Sequence, residues 1–508
     1  MNARTKDHAP AATARFETEL KFQVPTAARA ALLRAVATTT AQRTRLRATY
    51  ADTADHRLAA AGFALRMRLE GPVWVQTLKG RGDGLAQRLE DEVPIGASRQ
   101  EPALDAARHA GTPAGAALAA LLADGAALVP LYRTDIQRLH RKVRHAGAVV
   151  ELAYDRGFIE AGSERIAVDE IEFELVSGPP QALPQLAARW AARHGLWWDV
   201  RTKSERGFRL ATGASQVPAV RADDAVMPEG DGVFAVWQST LASALAQALP
   251  NAAEVAAGSG TSEHLHQLRV AIRRLRSALS LLAAWGIEQA SHDVEARWAI
   301  CFAELGQARD ADVIGQTWLP RLQAAGCPPL AMPAVDGAAV PAEVVCGPVF
   351  TAAALETLAL VLAPMPEGVD HSPRRAAASQ VLRRAWRRAW SDGSVFEQAD
   401  TPHRHRARKR IKRLRYAFEF LAPLYPAKAA RPVRKALNGA LEALGHCNDL
   451  QVAREHFSAP GSSPAAQPGA WFADGWLAAQ QPAALRQALK ALARLKAASK
   501  PWRDRSRR

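Results

Sequence analysis

The sequence predicts an α+β protein: an N-terminal antiparallel β tunnel or barrel sheathed by helices, followed by an all-α, duplicated helical-bundle domain. Two patterns predict this class. Over the first 210 residues, charged and apolar side chains alternate along short runs, which is the two-residue period of a β-strand. Beyond residue 230, apolar residues recur at spacings of three and four, which is the period of an amphipathic helix.

The length of 508 residues predicts more than one domain, and an apolar content of 48% is enough to form a sizeable core. We expect a tunnel domain at 14–212, a linker at 213–230, a helical domain at 231–495 and a disordered basic tail at 496–508. The linker is assigned because it is small, polar and Pro-bearing, without periodicity. Within the helical domain, the segment 323–351 predicts a loose connection.

The charge balance indicates a polyanionic partner. Lys and Arg number 66 against 50 Asp and Glu, a net charge of +16 with His neutral. Such a surplus suits nucleic acid, anionic lipid or polyphosphate. Four scattered cysteines without a Cys-x-x-Cys pair indicate a reducing compartment. Without a signal-peptide core or a long apolar run, we expect a cytoplasmic protein with no membrane partner.

The first strand places Glu17, Glu19 and Lys21 on one face and Leu20 and Phe22 on the other. At least six later runs repeat this division, separated by turn residues. Their charged positions are Arg66 and Arg68; Lys79; Arg88, Glu90 and Glu92; Arg133 and Asp135; Glu151 and Asp155; and Glu170, Glu172 and Glu174.

Two architectures fit these strands. An ordinary half-buried sheet would direct the charges to solvent, whereas a closed barrel would enclose them and leave its apolar exterior to the helical stretches 26–38, 104–123 and 183–194. Solvent faces usually mix Ser, Thr, Gln and Lys, but here acids and bases recur strand after strand. The pattern therefore favours a charged interior, which would suit a metal ion together with a highly charged anion.

The ordered charged positions resemble those of the CYTH, or triphosphate tunnel, enzymes, beginning with Glu17-x-Glu19-x-Lys21. The resemblance implies an eight-stranded antiparallel tunnel and a metal-dependent inorganic triphosphatase, a hydrolase that converts tripolyphosphate into diphosphate and phosphate with Mg²⁺ or Mn²⁺. A structural ion pair in a wet barrel is the alternative for each residue, and it is at least as good for Glu90, Glu92, Asp135 and Glu170.

The resemblance also implies roles by position. Substrate phosphate would be bound by Arg66, Arg68, Lys79, Arg88, Arg133 and Lys203; metal by Glu17, Glu19, Glu172 and Glu174; and catalysis would involve Lys21, Glu151 and Asp155.

The helical part contains an internal duplication. His266, Arg269, Arg273 and Arg276 fall on one face of a long amphipathic helix, with Arg274 flanking them. We call these five residues the first array. At an offset of 139 the pattern returns as the second array, and Leu-Gly-x-x-x-Asp recurs at the same offset. The second array is His405, Arg408, Lys412, Arg413 and Arg415, and the Leu-Gly motifs begin at Leu305 and Leu444.

The duplicated arrays resemble the CHAD domain, a helical module associated with binding inorganic polyphosphate. The resemblance implies that all ten array residues bind polyphosphate and that Asp310 and Asp312 orient the arginines. A solvated basic surface is the alternative for either array taken alone. We find no helix-turn-helix, zinc-finger or RNP pattern, so we expect no specific nucleic-acid partner. Polyphosphate granules are then a candidate location.

Two other functions remain open at this point. The chain would be a non-catalytic polyphosphate-granule scaffold if its tunnel only binds. Alternatively, the tunnel would act on an organic triphosphate, thiamine triphosphate or ATP, which requires a pocket wall for the organic group. Tyr50 and Trp74 are candidates for that wall.

Overall fold

The computed structural model describes residues 15–81, 87–223, 233–283, 289–313, 317–330, 339–364, 374–457 and 467–502. The chain divides into two compact units. The first comprises Met1–Pro218 with Cys346–Leu362, and the second comprises Ala219–Val345 with Ala363–Arg508. Among the described residues, no helix combines the length and the apolar character needed to cross a membrane.

The first unit is built on one antiparallel sheet with the strand order β5-β4-β3-β2-β6-β7-β8-β1-β9. Its strands are β1 Arg15–Gln23, β2 Gln42–Thr53, β3 Ala64–Glu70, β4 Val73–Arg81, β5 Gln87–Ala97, β6 Leu128–His145, β7 Ala148–Ala161, β8 Glu164–Ser177 and β9 Trp197–Trp198.

Strand β1 closes this sheet into a tunnel. Its first half, Arg15 to Thr18, pairs with β5, and its second half, Glu19 to Gln23, pairs with β8. Eight strands therefore form a continuous ring, and β9 adds to the end of β1. Closure gives the strands an inner and an outer face, with alternate residues on each.

Helices cover much of the outer face. They are α1 Arg29–Val36, α2 Arg57–Ala60, α3 Pro113–Leu121 and α4 Ala182–His194, whereas α5 Lys203–Thr212 contributes side chains to the inner side of the tunnel. Leu20 and Phe22, which alternate with the charged residues of β1, are buried, and Phe22 meets the ring of Phe173 edge to face. The apolar face of the strands is therefore the outer one, and the charged face is enclosed.

A two-residue turn fixes the register between β6 and β7. Ala146 and Gly147 both have positive φ, of 45° and 79°, the conformation of a type I′ hairpin turn. His145 then pairs with Ala148, and the ladder continues until Arg138 stands opposite Asp155.

One helix of the first unit comes from much later in the chain. Helix α11, Pro348–Leu362, packs on α4 and β9 and buries Phe350, Leu355 and Leu358. The predicted loose connection at 323–351 was wrong over its last part, because α10, Pro341–Cys346, and the start of α11 lie there. Its Ala- and Val-rich composition suits buried helix as well as loop.

The second unit is helical throughout its described residues. Its helices are α6 Val233–Ala256, α7 Ser262–Ala283, α8 Gln289–Val313, α9 Leu319–Ala324, α10, α12 Arg374–Gly393, α13 Thr401–Leu421, α14 Ala427–Phe457 and α15 Gln467–Ala497. The two arrays lie on α7 and α13, which pack against each other, while α8 packs on α7 and α14 on α13. The predicted α+β class, with a β tunnel before a helical domain, is confirmed.

Candidate active site and basic face

The tunnel encloses a cavity of about 1310 Å³. Of the thirteen tunnel residues predicted for a site, eleven line it, and they come from the five strands β1, β3, β4, β7 and β8 and from helix α5. These eleven are Glu17, Glu19, Lys21, Arg66, Arg68, Lys79, Glu151, Asp155, Glu172, Glu174 and Lys203.

One wall of the cavity is a row of carboxylates on three adjacent strands. In register, Glu174 of β8 stands between Glu19 of β1 and Glu151 of β7. Burial raises the pKa of Glu174, and the negative charges of Glu151 and Glu19 raise it further. Like charges held this close favour protonation or a cation between them.

Glu17 extends the carboxylate row along β1. Burial raises the pKa of Glu17 to about 8, and its hydrogen bond with Glu90 contributes in the same direction. Burial also opposes ionisation of Glu90, but Lys79 and the bond from Glu17 lower the pKa of Glu90 to about 2. The two carboxyl groups therefore share one proton, which a bound cation would displace.

The opposing wall carries cations with spare hydrogen-bonding capacity. Lys79 Nζ lies 2.9 Å from Glu90 and 3.3 Å from Glu17. Arg66 donates to the hydroxyl of Tyr50, and Arg68 pairs with Glu92 at 3.1 Å. Among the described residues, Nε and one terminal nitrogen of Arg66, and Nε of Arg68, are buried without a hydrogen-bond partner. Buried donors left unpaired are costly, so this wall is suited to an anion.

Elsewhere in the tunnel the charges neutralise one another. Arg138 donates two 2.7 Å hydrogen bonds to Asp155 and a third to Glu172. Lys203 Nζ lies 2.7, 2.5 and 2.8 Å from Asp155, Glu170 and Glu172, respectively. Burial opposes ionisation of Glu172, yet Lys203 and Arg138 hold its pKa well below the usual range.

The start of helix α5 positions Lys203. Thr202 accepts from the backbone of Glu205, whose carboxylate accepts from the backbone of Thr202, so a capping box begins the helix there. Arg206, one turn later, binds Glu170 beside Lys203. Lys203 and Arg206 are thereby both directed at Glu170.

Two carboxylate groups are therefore candidates for a metal. Oxygens of Asp155, Glu170 and Glu172 lie within 4.8 Å of one another, but Lys203, Arg138 and Arg206 already compensate them. The row of Glu17, Glu19, Glu151 and Glu174 fits a hard divalent cation better, because its carboxylates stand on adjacent strands, and burial together with neighbouring carboxyl groups raises the pKa of Glu17 and of Glu174.

Of the two remaining predicted phosphate ligands, Arg133 is not brought to the cavity, and Arg88 has a side chain outside the described residues. Arg133 is exposed on the outer face of β6, across from Glu160, because its parity is opposite to that of Thr134, Ile136 and Arg138. Arg88 stands opposite Glu17 on β5, and its side chain lies outside the described part of the chain. Sequence reasoning missed Arg138, although counting back from the Ala146–Gly147 turn pairs it with Asp155.

The three predicted catalytic residues have different surroundings. Lys21 is 6% exposed and stands opposite Glu172. Asp155 is fully buried, with both oxygens bound by Arg138. Glu151 faces the cavity and lies 3.2 Å from Nδ1 of His140, so its carboxylate is less engaged than that of Asp155.

One part of the cavity lining is apolar. Phe63, Leu89 and Phe208 line it together with His56 and Tyr50, and His56 meets Phe208 edge to face at 5.2 Å. Tyr50 also stacks on Tyr132 at 4.6 Å. Trp74, the other candidate wall, does not line the cavity; its indole donates to the backbone of Ser98.

In the second unit, seven array residues form what we call the basic face, on α7 and α13. Arg273 of α7 is close enough to Arg408 and Lys412 of α13 to lower the pKa of each, in addition to the larger effect of burial. Asp449 of α14 attracts both of these cations, and His405 contacts Asn448 at 3.0 Å. The seven residues are Arg269, Arg273, Arg276, His405, Arg408, Lys412 and Arg415.

Three array residues behave differently. Arg274 is 1% exposed, and its guanidinium binds Glu419, Gln247 and Ser243. The prediction that Arg274 binds polyphosphate was therefore wrong, because the side chain lies in the core. Arg413, its counterpart, is exposed about 100° around α13 from Lys412. His266 lies partly exposed on α7. The side chains of Asp310 and Asp312 lie outside the described residues.

Comparison with known proteins assigns both units. The CYTH domain family matches residues 15–208, and the CHAD domain family matches residues 239–458. The chain is 31% identical over 171 residues to an inorganic triphosphatase of Haemophilus influenzae. That match covers 32% of this chain and 45% of the Haemophilus influenzae protein, so it spans less than half of its relative.

Solved structures are similar to each part. The CHAD domain from the plant Ricinus communis has 29% identity, covering 54% of this chain and 96% of that one, with a TM-score of 0.42. A Hippeastrum protein named as an adenylyl cyclase candidate with a dominant triphosphatase activity has 20% identity, covering 39% and 96%, with a TM-score of 0.29. With both family matches in one chain, this protein belongs to the CYTH–CHAD proteins.

Proposed function

We propose that the tunnel is a metal-dependent inorganic triphosphatase, which hydrolyses tripolyphosphate to diphosphate and phosphate. The observation that carries the proposal is the division of one enclosed cavity into an undercompensated carboxylate row and an opposing wall of Arg66, Arg68 and Lys79. A triphosphate with its divalent cation presents the complementary charges to both walls. The likeness to an inorganic triphosphatase supports the same assignment.

In this proposal the basic wall binds the phosphate chain. The unpartnered nitrogens of Arg66 and Arg68 would donate to phosphate oxygens, and Lys79 would contribute a third positive charge. Enclosure lowers the local dielectric, so each of these pairs is stronger than it would be in water. Lys203 would reach phosphate only by leaving its three carboxylates.

The metal, Mg²⁺ or Mn²⁺, would be held by Glu17, Glu19 and Glu174, with Glu151 beside them. Glu172, the other predicted ligand, is engaged by Arg138 and Lys203, so we assign it to the neutral network. When bound, the metal neutralises charge on phosphate oxygens and lowers the pKa of coordinated water.

Glu151 is the residue we assign to orienting the attacking water. Glu151 lines the cavity, and one of its oxygens lies 3.2 Å from Nδ1 of His140, so its second oxygen would accept from the water. Attack at the terminal phosphorus breaks its bond to the bridging oxygen, and diphosphate leaves. Lys21 and Asp155 are assigned instead to setting the charge and shape of the tunnel beside Glu172.

The test is phosphate release from tripolyphosphate with Mg²⁺, Mn²⁺ or chelator. We expect metal-dependent release that Glu19→Gln lowers by about 100-fold, while Arg133→Gln, on the outer face, retains it. A folded protein that releases no phosphate with any metal would overturn the enzyme. If that protein still bound polyphosphate, a non-catalytic scaffold would become the better assignment than an enzyme.

We also propose that the basic face binds inorganic polyphosphate. It gathers seven basic or titratable side chains from two helices; Asp449 attracts Arg408 and Lys412, while Glu295 pairs with Arg276 and Glu419 pairs with Arg415. A flexible chain of phosphates can contact such a face along its length. Location at polyphosphate granules would follow from this binding.

Direct titration with long-chain polyphosphate tests the second activity. We expect Arg408→Gln to weaken binding, while Arg413→Gln, exposed elsewhere on α13, has a smaller effect. Equal losses in both variants would indicate non-specific attraction to a basic domain.

An organic triphosphate is a second candidate substrate because Phe63, Leu89 and Phe208 give part of the cavity an apolar lining. Nucleotide bases and thiamine would pack there. Comparison of kcat/KM for tripolyphosphate, ATP and thiamine triphosphate separates the two, and Phe208→Ala would reduce turnover of the organic substrates only.

A further inference from the structure

The ring of Phe302, on helix α8, lies beneath the first array. The guanidinium carbons of Arg269, Arg273 and Arg276 lie 4.8, 5.1 and 5.8 Å from its centroid. All three distances are within the range of a cation–π interaction, about 6 Å. One aromatic ring thus contacts three cations that belong to one polyanion-binding surface.

Further contacts fix these arginines. Arg269 donates a 2.7 Å hydrogen bond to the backbone oxygen of Leu305, and Arg276 pairs with Glu295 at 2.7 Å. A Cβ atom placed on Gly306 would approach the terminal nitrogen of Arg269 to 3.1 Å. Glycine at position 306 therefore provides the space in which the guanidinium of Arg269 lies against α8.

The second array has no ring at the position equivalent to Phe302. At the offset of 139, Phe302 corresponds to Leu441 and Gly306 corresponds to Gly445. Leucine has no π face, and a Cβ atom on Gly445 would stay 3.8 Å from Arg408, which is ordinary contact. The duplication has kept the arginines in both halves, but one ring gathers three of them in the first half, whereas in the second half Arg415 lies 4.0 Å from the ring of its own neighbour, Tyr416.

We propose that Phe302 and Gly306 are positioning residues, which hold the first array ready for a phosphate chain and make it the preorganised half of the basic face. The inference rests on the polyphosphate binding proposed above. Long arginine side chains lose rotamer freedom when they bind, and holding them beforehand reduces that loss. A ring is suited to this because it attracts guanidinium groups without using the hydrogen-bond donors that phosphate needs.

The test is titration of the full-length protein with long-chain polyphosphate. Phe302→Leu, which introduces the residue of the second half, should weaken binding by about tenfold. Phe302→Trp should bind within about twofold of wild type because it retains a π face. Gly306→Ala should weaken binding, whereas Gly445→Ala should not. Both alanine variants should melt at or above the wild-type temperature, since alanine favours helix.

The outcomes separate this inference from the function on which it rests. Wild-type affinity in Phe302→Leu, or equal losses in Phe302→Leu and Phe302→Trp, would overturn the positioning role. Equal effects of Gly306→Ala and Gly445→Ala on binding would overturn the positioning role of Gly306. If wild-type protein does not bind polyphosphate, the proposed binding function itself is wrong, and the positioning role is rejected with it.

Discussion

Lys412 of α13 and Arg273 of α7, one from each array, meet on the basic face of the second unit. Burial lowers the pKa of Lys412 to about 7, and the positive charge of Arg273 is the next largest cause. Two helices separated by more than a hundred residues therefore build one surface, on which Arg273 of one helix is close enough to lower the pKa of Lys412 of the other.

This relationship predicts pH-dependent binding of polyphosphate. Above pH 7 the free protein has Lys412 largely neutral, and a bound polyanion favours its charged form. Binding therefore takes up a proton, and affinity should fall as pH rises from 7 to 9, by up to about tenfold per unit. Lys412→Arg should flatten this part of the profile, since arginine stays charged. Lys409→Arg, at an exposed position, is the control; an unchanged slope in Lys412→Arg would contradict the assignment.

The Arg138–Asp155 pair predicts that a substitution inside the tunnel lowers the free energy of unfolding much more than one on its outer face. Asp155→Asn removes the charge that faces both Arg138 and Lys203 and should lower the free energy of unfolding by about 3–5 kcal/mol. Arg133→Gln, on the exposed face of the same sheet, should change it by less than about 0.5 kcal/mol. Urea denaturation followed by tryptophan fluorescence measures both, and comparable values would show that the network is not structural.

Gly207 predicts a packing effect within helix α5. A Cβ atom there would lie 2.3 Å from the ring of Tyr132, which stacks on Tyr50. Gly207→Ala should therefore destabilise the first unit by about 1–3 kcal/mol. Gly439→Ala, in a helix with open space around the position, should stabilise the second unit by about 0.5–1 kcal/mol. Thermal melts of both variants check the signs, and stabilisation by Gly207→Ala would show that Tyr132 moves away freely.

Helix α11 predicts that a late segment stabilises the tunnel unit. Leu355 is fully buried within α11, which packs on α4 and β9. Leu355→Ala should cost about 2–5 kcal/mol. Hydrogen exchange should quicken in α4 while that of α7 and α13 is retained. If exchange became faster in α7 and α13 and stayed unchanged in α4, α11 would instead stabilise the other unit.

The alternation of residues predicted the cavity-facing side correctly for strand β1 but not for strand β6. Two-residue alternation predicted that Glu17, Glu19 and Lys21 share an enclosed face, and all three line the cavity. Alternation within β6 was assigned one residue out of phase, which put Arg133 in place of Arg138. A one-residue slip reverses every side chain of a strand, and counting from the hairpin turn at Ala146–Gly147 would have corrected it.

By itself the sequence determined the fold class, the charged tunnel face and the duplication of the arrays, because each is a periodic pattern carried by local spacing. Only the tertiary structure decided which cations remain available to a ligand. Arg274 and Arg413 occupy equivalent places in the repeats, yet one is buried against Glu419 and the other is exposed. Likewise, Glu172 is neutralised by Arg138 and Lys203, while Glu174, two residues along the same strand face, is surrounded by carboxylates. Partners from distant segments set these differences, and local spacing contains no information about them.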